Sequence, residues 1–214
     1  MTDDAERSLE IERKYDVDDT TPVPDWRALP GVIAVGEPEP RELDAHYFDT
    51  RDGTLARALT ALRHRTGGPD AGWHIKRSTP EGKHETRWPL GDVPTDDDGA
   101  VPTVPDAVIV ALAETAAPPF AVVARIRNDR TAYALTDGAG AVVAEFVDDR
   151  VAATDVRRGV TTRWREWELE LGPAAPTEAP ARAALFAAAD ALVVAAGGKV
   201  STSDSKLGRA LGAR

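Results

Sequence analysis

The stretch 164-WREWELEL-171 sets Glu166, Glu168 and Glu170 at alternate positions, with Trp167, Leu169 and Leu171 at the others. Side chains alternate across an extended chain, so this reads as a strand with one acidic and one apolar face. Three carboxylates at i, i+2 and i+4 repel one another, and crowding them is costly unless a cation or an opposing arginine lies among them. The segment 9-LEIERKYDV-17 repeats the pattern: Leu9, Ile11, Tyr15 and Val17 share a face, with Arg13 the exception, and Glu10, Glu12, Lys14 and Asp16 share the other. Period-two alternation continues outward from these two stretches. HYFDT (46–50) is a short strand ahead of the turn residues Asp52 and Gly53, and 61–65 aligns Arg63 with Arg65. In 72–77, His74 and Lys76 oppose Trp73 and Ile75; Lys83, Glu85 and Arg87 share a parity, as do Arg125 and Arg127, and Glu145 and Asp149.

About eight such strands predict an antiparallel barrel or sandwich. Helices are expected at 108–116 and 181–196, the second with Pro180 near its start and Gly197-Gly198 past its end. Segments 18–42, 91–106 and 172–180, rich in Pro, Asp and Gly, read as loops. No long linker divides the chain, so 1–214 is expected to be one domain.

Composition narrows the function. The 214 residues are 42% hydrophobic and contain no cysteine, which excludes disulfides, iron–sulfur clusters and cysteine-ligated zinc. His46, His64, His74 and His84 have no zinc spacing. A net charge of −10 argues against nucleic acid as a partner. The acidic start MTDDAERSLE is no signal peptide, and 183–196 is too short to span a bilayer. A cytoplasmic protein is expected, with no membrane partner. The sequence leaves the oligomeric state open, a homodimer included.

A strand with one polar face ordinarily turns it to water. Three features weigh against that for the set. The polar faces are almost purely ionic, and their signs segregate by strand. The opposite faces carry the large apolar groups a core needs. A barrel with a charged interior satisfies all three, because larger barrels enclose cavities. Separate acidic and basic walls suit a metal-bound polyanion: carboxylates hold Mg²⁺ or Mn²⁺, and arginine and lysine hold phosphate oxygens.

The ordered series Glu10-Ile-Glu12-Arg-Lys14, Tyr47-Phe48-Asp49-Thr50, Leu62-Arg63-His64-Arg65, Trp73-His74-Ile75-Lys76, Arg125-Ile126-Arg127, Glu145 with Asp149, Glu166-x-Glu168-x-Glu170 and Ser205-Lys206 resembles the CYTH family, or triphosphate tunnel metalloenzymes, from about residue 8 to 210. The resemblance implies a closed eight-stranded antiparallel tunnel with flanking helices, mainly β within an α+β class. It also implies a two-metal site and a small-molecule triphosphate substrate. It implies metal ligation by Glu10, Glu12, Glu168 and Glu170, and a catalytic or water-orienting role for Lys14, Glu145 and Asp149. For Lys14 the alternative is a salt bridge to a tunnel glutamate. Arg63, Arg65, Lys76, Arg87, Arg125, Arg127 and Lys206 would clamp phosphate. Where relatives often carry Arg-x-Glu-x-Glu, this chain has Lys83-His84-Glu85-Thr86-Arg87, leaving Glu85 either a metal ligand or the partner of Arg87. The helical CHAD domain that follows in some relatives is not expected within 214 residues. A triphosphatase acting on inorganic triphosphate is the leading expectation. An adenylyl cyclase, a thiamine triphosphatase and a non-catalytic polyphosphate or nucleotide binder are the alternatives.

Overall fold

The computed structural model describes residues 5–90, 101–203 and 205–212; part of the expected loop 91–106 lies outside them. Eleven strands form one sheet: β1 (Glu6–Glu10), β2 (Glu12–Val17), β3 (Ala34–Val35), β4 (Glu39–Asp49), β5 (Thr60–Thr66), β6 (Gly72–Thr79), β7 (Gly82–Pro89), β8 (Ala121–Thr136), β9 (Val142–Asp155), β10 (Val160–Leu171) and β11 (Lys199–Val200). Four helices accompany them: α1 (Thr54–Arg57), α2 (Asp106–Leu112), α3 (Ala179–Ala196) and α4 (Lys206–Leu211). The strand order is β1-β7-β6-β5-β4-β8-β9-β10-β2-β11, with β3 beside β8, and the pairings are antiparallel. The fold is therefore mainly β and antiparallel, with few helices. A single residue, Ile11, separates β1, which pairs with β7, from β2, which pairs with β10.

Most strands run longer than the alternation predicts. The segment 18–42, expected to be loop, contains a 3-10 turn at Trp26–Ala28, β3 and the start of β4. Asp25 caps that turn by accepting from the Arg27 N–H at 3.1 Å, and Trp26 packs its ring 4.8 Å from that of Phe146. The Asp137–Ala141 turn lets β8 and β9 run on, because the Asp137 carboxylate accepts from the amides of Ala139 and Ala141. Asp49, at the end of β4, starts α1 by accepting from the amides of Leu55 and Ala56 at 2.9 and 3.1 Å.

The apolar faces are covered from outside. Leu185, Phe186, Ala189 and Val193 of α3 pack on Tyr15, Phe146, Trp167 and Leu169, while Val108 and Leu112 of α2 pack on Phe48, Leu62, Trp73 and Ile75. The 18 residues of α3 are long and apolar enough to cross a bilayer by length and composition alone, more than 183–196 led us to expect. Here α3 supports the sheet from its side. The element that packs on the other face is α4. Its Leu207, Ala210 and Leu211 join Ala45, Tyr47, Ile126, Val151 and Ala153. Ser205 caps α4 by accepting from the Gly208 N–H at 3.0 Å, and Gly212 ends it at φ 72°. Trp73, Trp88 and Trp167 lie in the outer clusters. Trp164 differs. It shares the inner face, with the Arg209 guanidinium 4.7 Å from its ring centre.

Candidate active site

The register decides which charged groups meet. Directly paired residues share a face, so Glu12, Glu170 and Glu145 form one row, Lys14 and Glu168 the next, and Asp16, Glu166, Asp149, Arg130 and Arg41 a third. On the other side, Tyr47, Arg63, His74, Arg87 and Glu6 form a row across β4, β5, β6, β7 and β1. These faces line a cavity of about 1910 Å³. A smaller outer cavity of about 450 Å³ beside Trp26 and Tyr133 has only Asp25 and Arg27 as charged lining groups, and these pair with each other.

The acidic wall has two kinds of carboxylate. Glu168 accepts from Lys14, from Lys206 at 2.7 Å and from Arg130 at 2.8 Å. Burial is the largest influence on Glu168 and would raise its pKa, but these cations hold it well below the usual carboxylate range. Asp149 takes both arms of Arg130 at 2.7–2.8 Å and Lys206 at 2.8 Å; Lys206 also meets Glu166 at 2.6 Å. Oxygens of Asp149, Glu166 and Glu168 lie within 4.8 Å of one another and could hold a metal ion. The cation placed among them is the Lys206 ammonium, whose pKa burial would lower but which these carboxylates hold well above normal.

Glu170 differs: among the described residues it has no hydrogen bond or ion pair. Burial first, and then Glu10, push its pKa up to about 7. Burial also raises Glu10 despite Lys76, which lies at 2.6–2.8 Å. Glu12 pairs with Lys83 and Lys14; burial would raise it, but Lys14 leads the influences that bring it down to about 2. Glu10, Glu12 and Glu170 offer hard oxygen donors of the kind a divalent cation takes, although among the described residues the one trio whose oxygens lie within 4.8 Å of one another is Asp149, Glu166 and Glu168.

The basic wall shows the reverse. Arg65 is buried and Arg63 half-buried, and the Nε of each is buried with no hydrogen-bond partner. Burial, then Arg63 and Arg130, push Arg65 down to about 9. A guanidinium stays charged at neutral pH; Arg65 pairs with the part-exposed Asp70 carboxylate, and its unpartnered Nε and that of Arg63 leave donors that an anion could engage.

Several expected site residues sit elsewhere or are already engaged. Arg125 and Arg127 are a correction. In β8 they stand at the parity opposite Arg130, on the outer face, where Arg125 binds Asp44 at 2.6–3.0 Å and Arg127 is largely exposed. The inward guanidinium is Arg130, because its register partner is the inward Asp149. Glu145 is held by both arms of Arg41 at 3.1 Å. Lys14 makes the salt bridge that was its alternative, to Glu168 and Glu12. Arg87 pairs with Glu6 near the rim. Glu85 therefore is not Arg87's partner; it meets His74 at 2.8 Å, Lys76 at 3.3 Å and Arg63 at 3.6 Å. Arg41, Arg130 and Lys83 also line the cavity and were not among the expected site residues, and Tyr47 lines it as a wall residue. Arg130 could have been found by following parity along the whole of 121–136. Arg41 lay in a segment without alternation.

The CYTH domain family model matches residues 8–197. The chain is 37% identical over 221 aligned residues to an uncharacterized protein of Mycobacterium tuberculosis, in strains CDC 1551 / Oshkosh and H37Rv. The match covers 97% of this chain, which spans 41% of the length of those relatives. Among solved structures, a candidate adenylate cyclase of Bacillus halodurans superposes with a TM-score of 0.63 at 20% identity, covering 95% of this chain and 97% of that one. A candidate adenylyl cyclase from Hippeastrum, described as having a dominant triphosphatase activity, gives 0.53 at 17% identity over 96% of this chain and 97% of that one. At such identities the likeness is one of fold.

Proposed function

We propose for this chain, which belongs to the CYTH domain family, that it is a cytoplasmic, metal-dependent triphosphatase, with inorganic triphosphate as its first substrate. One observation carries the reading. The same cavity holds the Glu170 carboxylate, which has no hydrogen bond or ion pair among the described residues and whose pKa burial raises, and two arginines, Arg63 and Arg65, whose buried Nε atoms have no hydrogen-bond partner. Unsatisfied acidic and basic groups in one cavity suit a ligand that brings both a cation and a polyanion. The separation of β1 from β2 by Ile11 alone, with their partners β7 and β10 at opposite ends of the strand order, supports an eight-stranded closed tunnel in which β1 and β2 count as one strand.

Glu10, Glu12 and Glu170 would hold Mg²⁺ or Mn²⁺. When bound, such an ion neutralises phosphate oxygens and lowers the pKa of water. Arg63, Arg65 and Lys76 would hold phosphate oxygens through charge-assisted hydrogen bonds. Lys14, Lys206 and Arg130 keep Glu168 and Asp149 ionised and fixed, so the acidic wall does not rearrange as charge builds on the substrate.

The test is phosphate release from inorganic triphosphate, thiamine triphosphate, ATP and long-chain polyphosphate, each with Mg²⁺, with Mn²⁺ and with excess chelator. Metal-dependent release, fastest from inorganic triphosphate, is expected. Turnover that survives the chelator removes the metal reading. Cyclic AMP and pyrophosphate as main products from ATP move the assignment to a cyclase.

A further inference from the structure

His74 is fully buried on the cavity face of β6, opposite Arg63 on β5 and Arg87 on β7. Its two ring nitrogens both face oxygen acceptors: Nδ1 lies 2.8 Å from Glu85 Oε1, and Nε2 lies 2.9 Å from the Asp70 carbonyl. Each acceptor is tied to one arginine of the basic wall. Glu85 meets Arg63 at 3.6 Å, and Asp70 pairs with Arg65 through its carboxylate. Arg65, Asp70, His74, Glu85 and Arg63 therefore form one chain of contacts with the imidazole at its centre. The turn before β6 is built tightly enough to hold this arrangement. Gly67 has φ +77°, and a Cβ there would stand 1.8 Å from the Glu42 carbonyl oxygen.

We propose that His74 is a positioning residue for phosphate binding: its Nδ1–H orients the Glu85 carboxylate, which in turn sets Arg63 towards the anion. Burial, Arg63 and Arg65 lower the pKa of the ring against the pull of Glu85, and the contact with Glu85 needs a proton only on Nδ1, which carries one in the charged ring and in one of the two neutral tautomers. A carboxylate is a stronger acceptor than a peptide carbonyl, so that proton belongs on Nδ1. Without it, Glu85 keeps only Lys76 and Arg63 and is free to swing with either. The phosphate contact of Arg63 then loses its preset direction. Because Arg63 would bind substrate and transition state alike, the loss falls on KM rather than on kcat. The role presupposes the triphosphate reading above.

The side-chain amide nitrogen of asparagine reaches about as far as Nδ1, and that of glutamine about as far as Nε2. Three variants of the full chain therefore separate the two contacts. His74→Phe and His74→Gln should raise KM for inorganic triphosphate about tenfold at a kcat within about twofold of wild type, while His74→Asn stays within about twofold in both. In a Glu85→Gln background, the further change to His74→Phe should have no added effect on KM. Circular dichroism melts establish that each variant folds; if His74→Phe does not, the Asn–Gln contrast decides alone. Rescue by Gln instead of Asn, equal losses in both, or a full additional loss in the Glu85→Gln background overturns the positioning role. A wild-type chain that neither binds triphosphate by calorimetry nor hydrolyses it overturns the functional reading itself, a different result from a wild type that does both and is indifferent to His74.

Discussion

Two carboxylates stand two residues apart on the same face of β10 and have opposite surroundings. Glu168 meets three cations, Lys14, Lys206 and Arg130. Glu170 meets none among the described residues and faces Glu10 and Glu12 instead. The side-chain type, strand and face are the same, so only the local charge balance differs. The compensated carboxylate is a wall component, already paired. The uncompensated one is where an added cation stabilises the protein most. A milder form of the distinction runs across the cavity, between Arg130, held by the buried Asp149 and Glu168, and Arg65, held by the part-exposed Asp70 and close to Arg63 and Arg130.

The strongest test of the compensated end is Lys206→Met. It leaves Asp149, Glu166 and Glu168 buried with one cation fewer, and breaking a buried pair in this way costs about 3–5 kcal/mol. Urea unfolding should show that loss. A change below about 1 kcal/mol would mean that Arg130 and Lys14 suffice alone.

On the basic side, Arg63→Ala should leave the fold intact and remove about 1.5–3 kcal/mol of triphosphate binding, raising KM roughly tenfold to a hundredfold. Steady-state kinetics reads this directly. An unchanged KM would make the basic wall structural.

Glu170 gives a pH signature of intermediate size. Its folded pKa, about 7, lies above the ordinary carboxylate value, so the folded state holds the proton more tightly than the unfolded chain. The stability this contributes is present at low pH and is lost as pH rises through about 7. In chelator, Glu170→Gln should therefore be more stable than wild type at pH 8, by on the order of 1–2 kcal/mol, and should show little difference at pH 4. Saturating Mg²⁺ should shrink the gap at pH 8 by stabilising wild type. A gap that widens on acidification contradicts the crowding of Glu10, Glu12 and Glu170.

The smallest effect is expected outside. Arg125→Ala should change KM by less than about twofold, since Arg125 binds Asp44 on the outer face, and such part-exposed pairs contribute about 1 kcal/mol or less to stability. A tenfold rise in KM would return it to the cavity.

The parity of charges was legible in the sequence, and so were the two acidic stretches, Arg63 with Arg65, and Lys76. These came from strands whose opposite face is plainly apolar. In β8 the rule fails because both faces carry arginine: Arg125 and Arg127 at one parity, Arg130 at the other. Alternation says which residues share a face, and only pairing with β9 says which face is inward. Local charge balance was hidden for a similar reason. The cations that neutralise Glu168 come from residues 14, 130 and 206, and no spacing along the chain brings them together. The split of one N-terminal strand between two distant partners left no mark in its alternation either.

The position of α4 bears on how the chain is made. During synthesis from the N-terminus, β10 emerges with Glu166 and Glu168 some 40 residues before Lys206 and Arg209, while domains tend to form as their segments leave the ribosome. The nascent sheet thus carries Glu168 and Asp149 with Lys14 and Arg130 already made, while Lys206 and Arg209, the cations nearest Glu166, and the apolar Leu207 and Ala210 that dock beside them are still unsynthesised. Docking of α4 acts as a late closing step, in which one short helix delivers both charge neutralisation and core contacts. A ribosome stalled between residues 171 and 206 holds a chain with every long strand made and Glu166 still without the ammonium of Lys206.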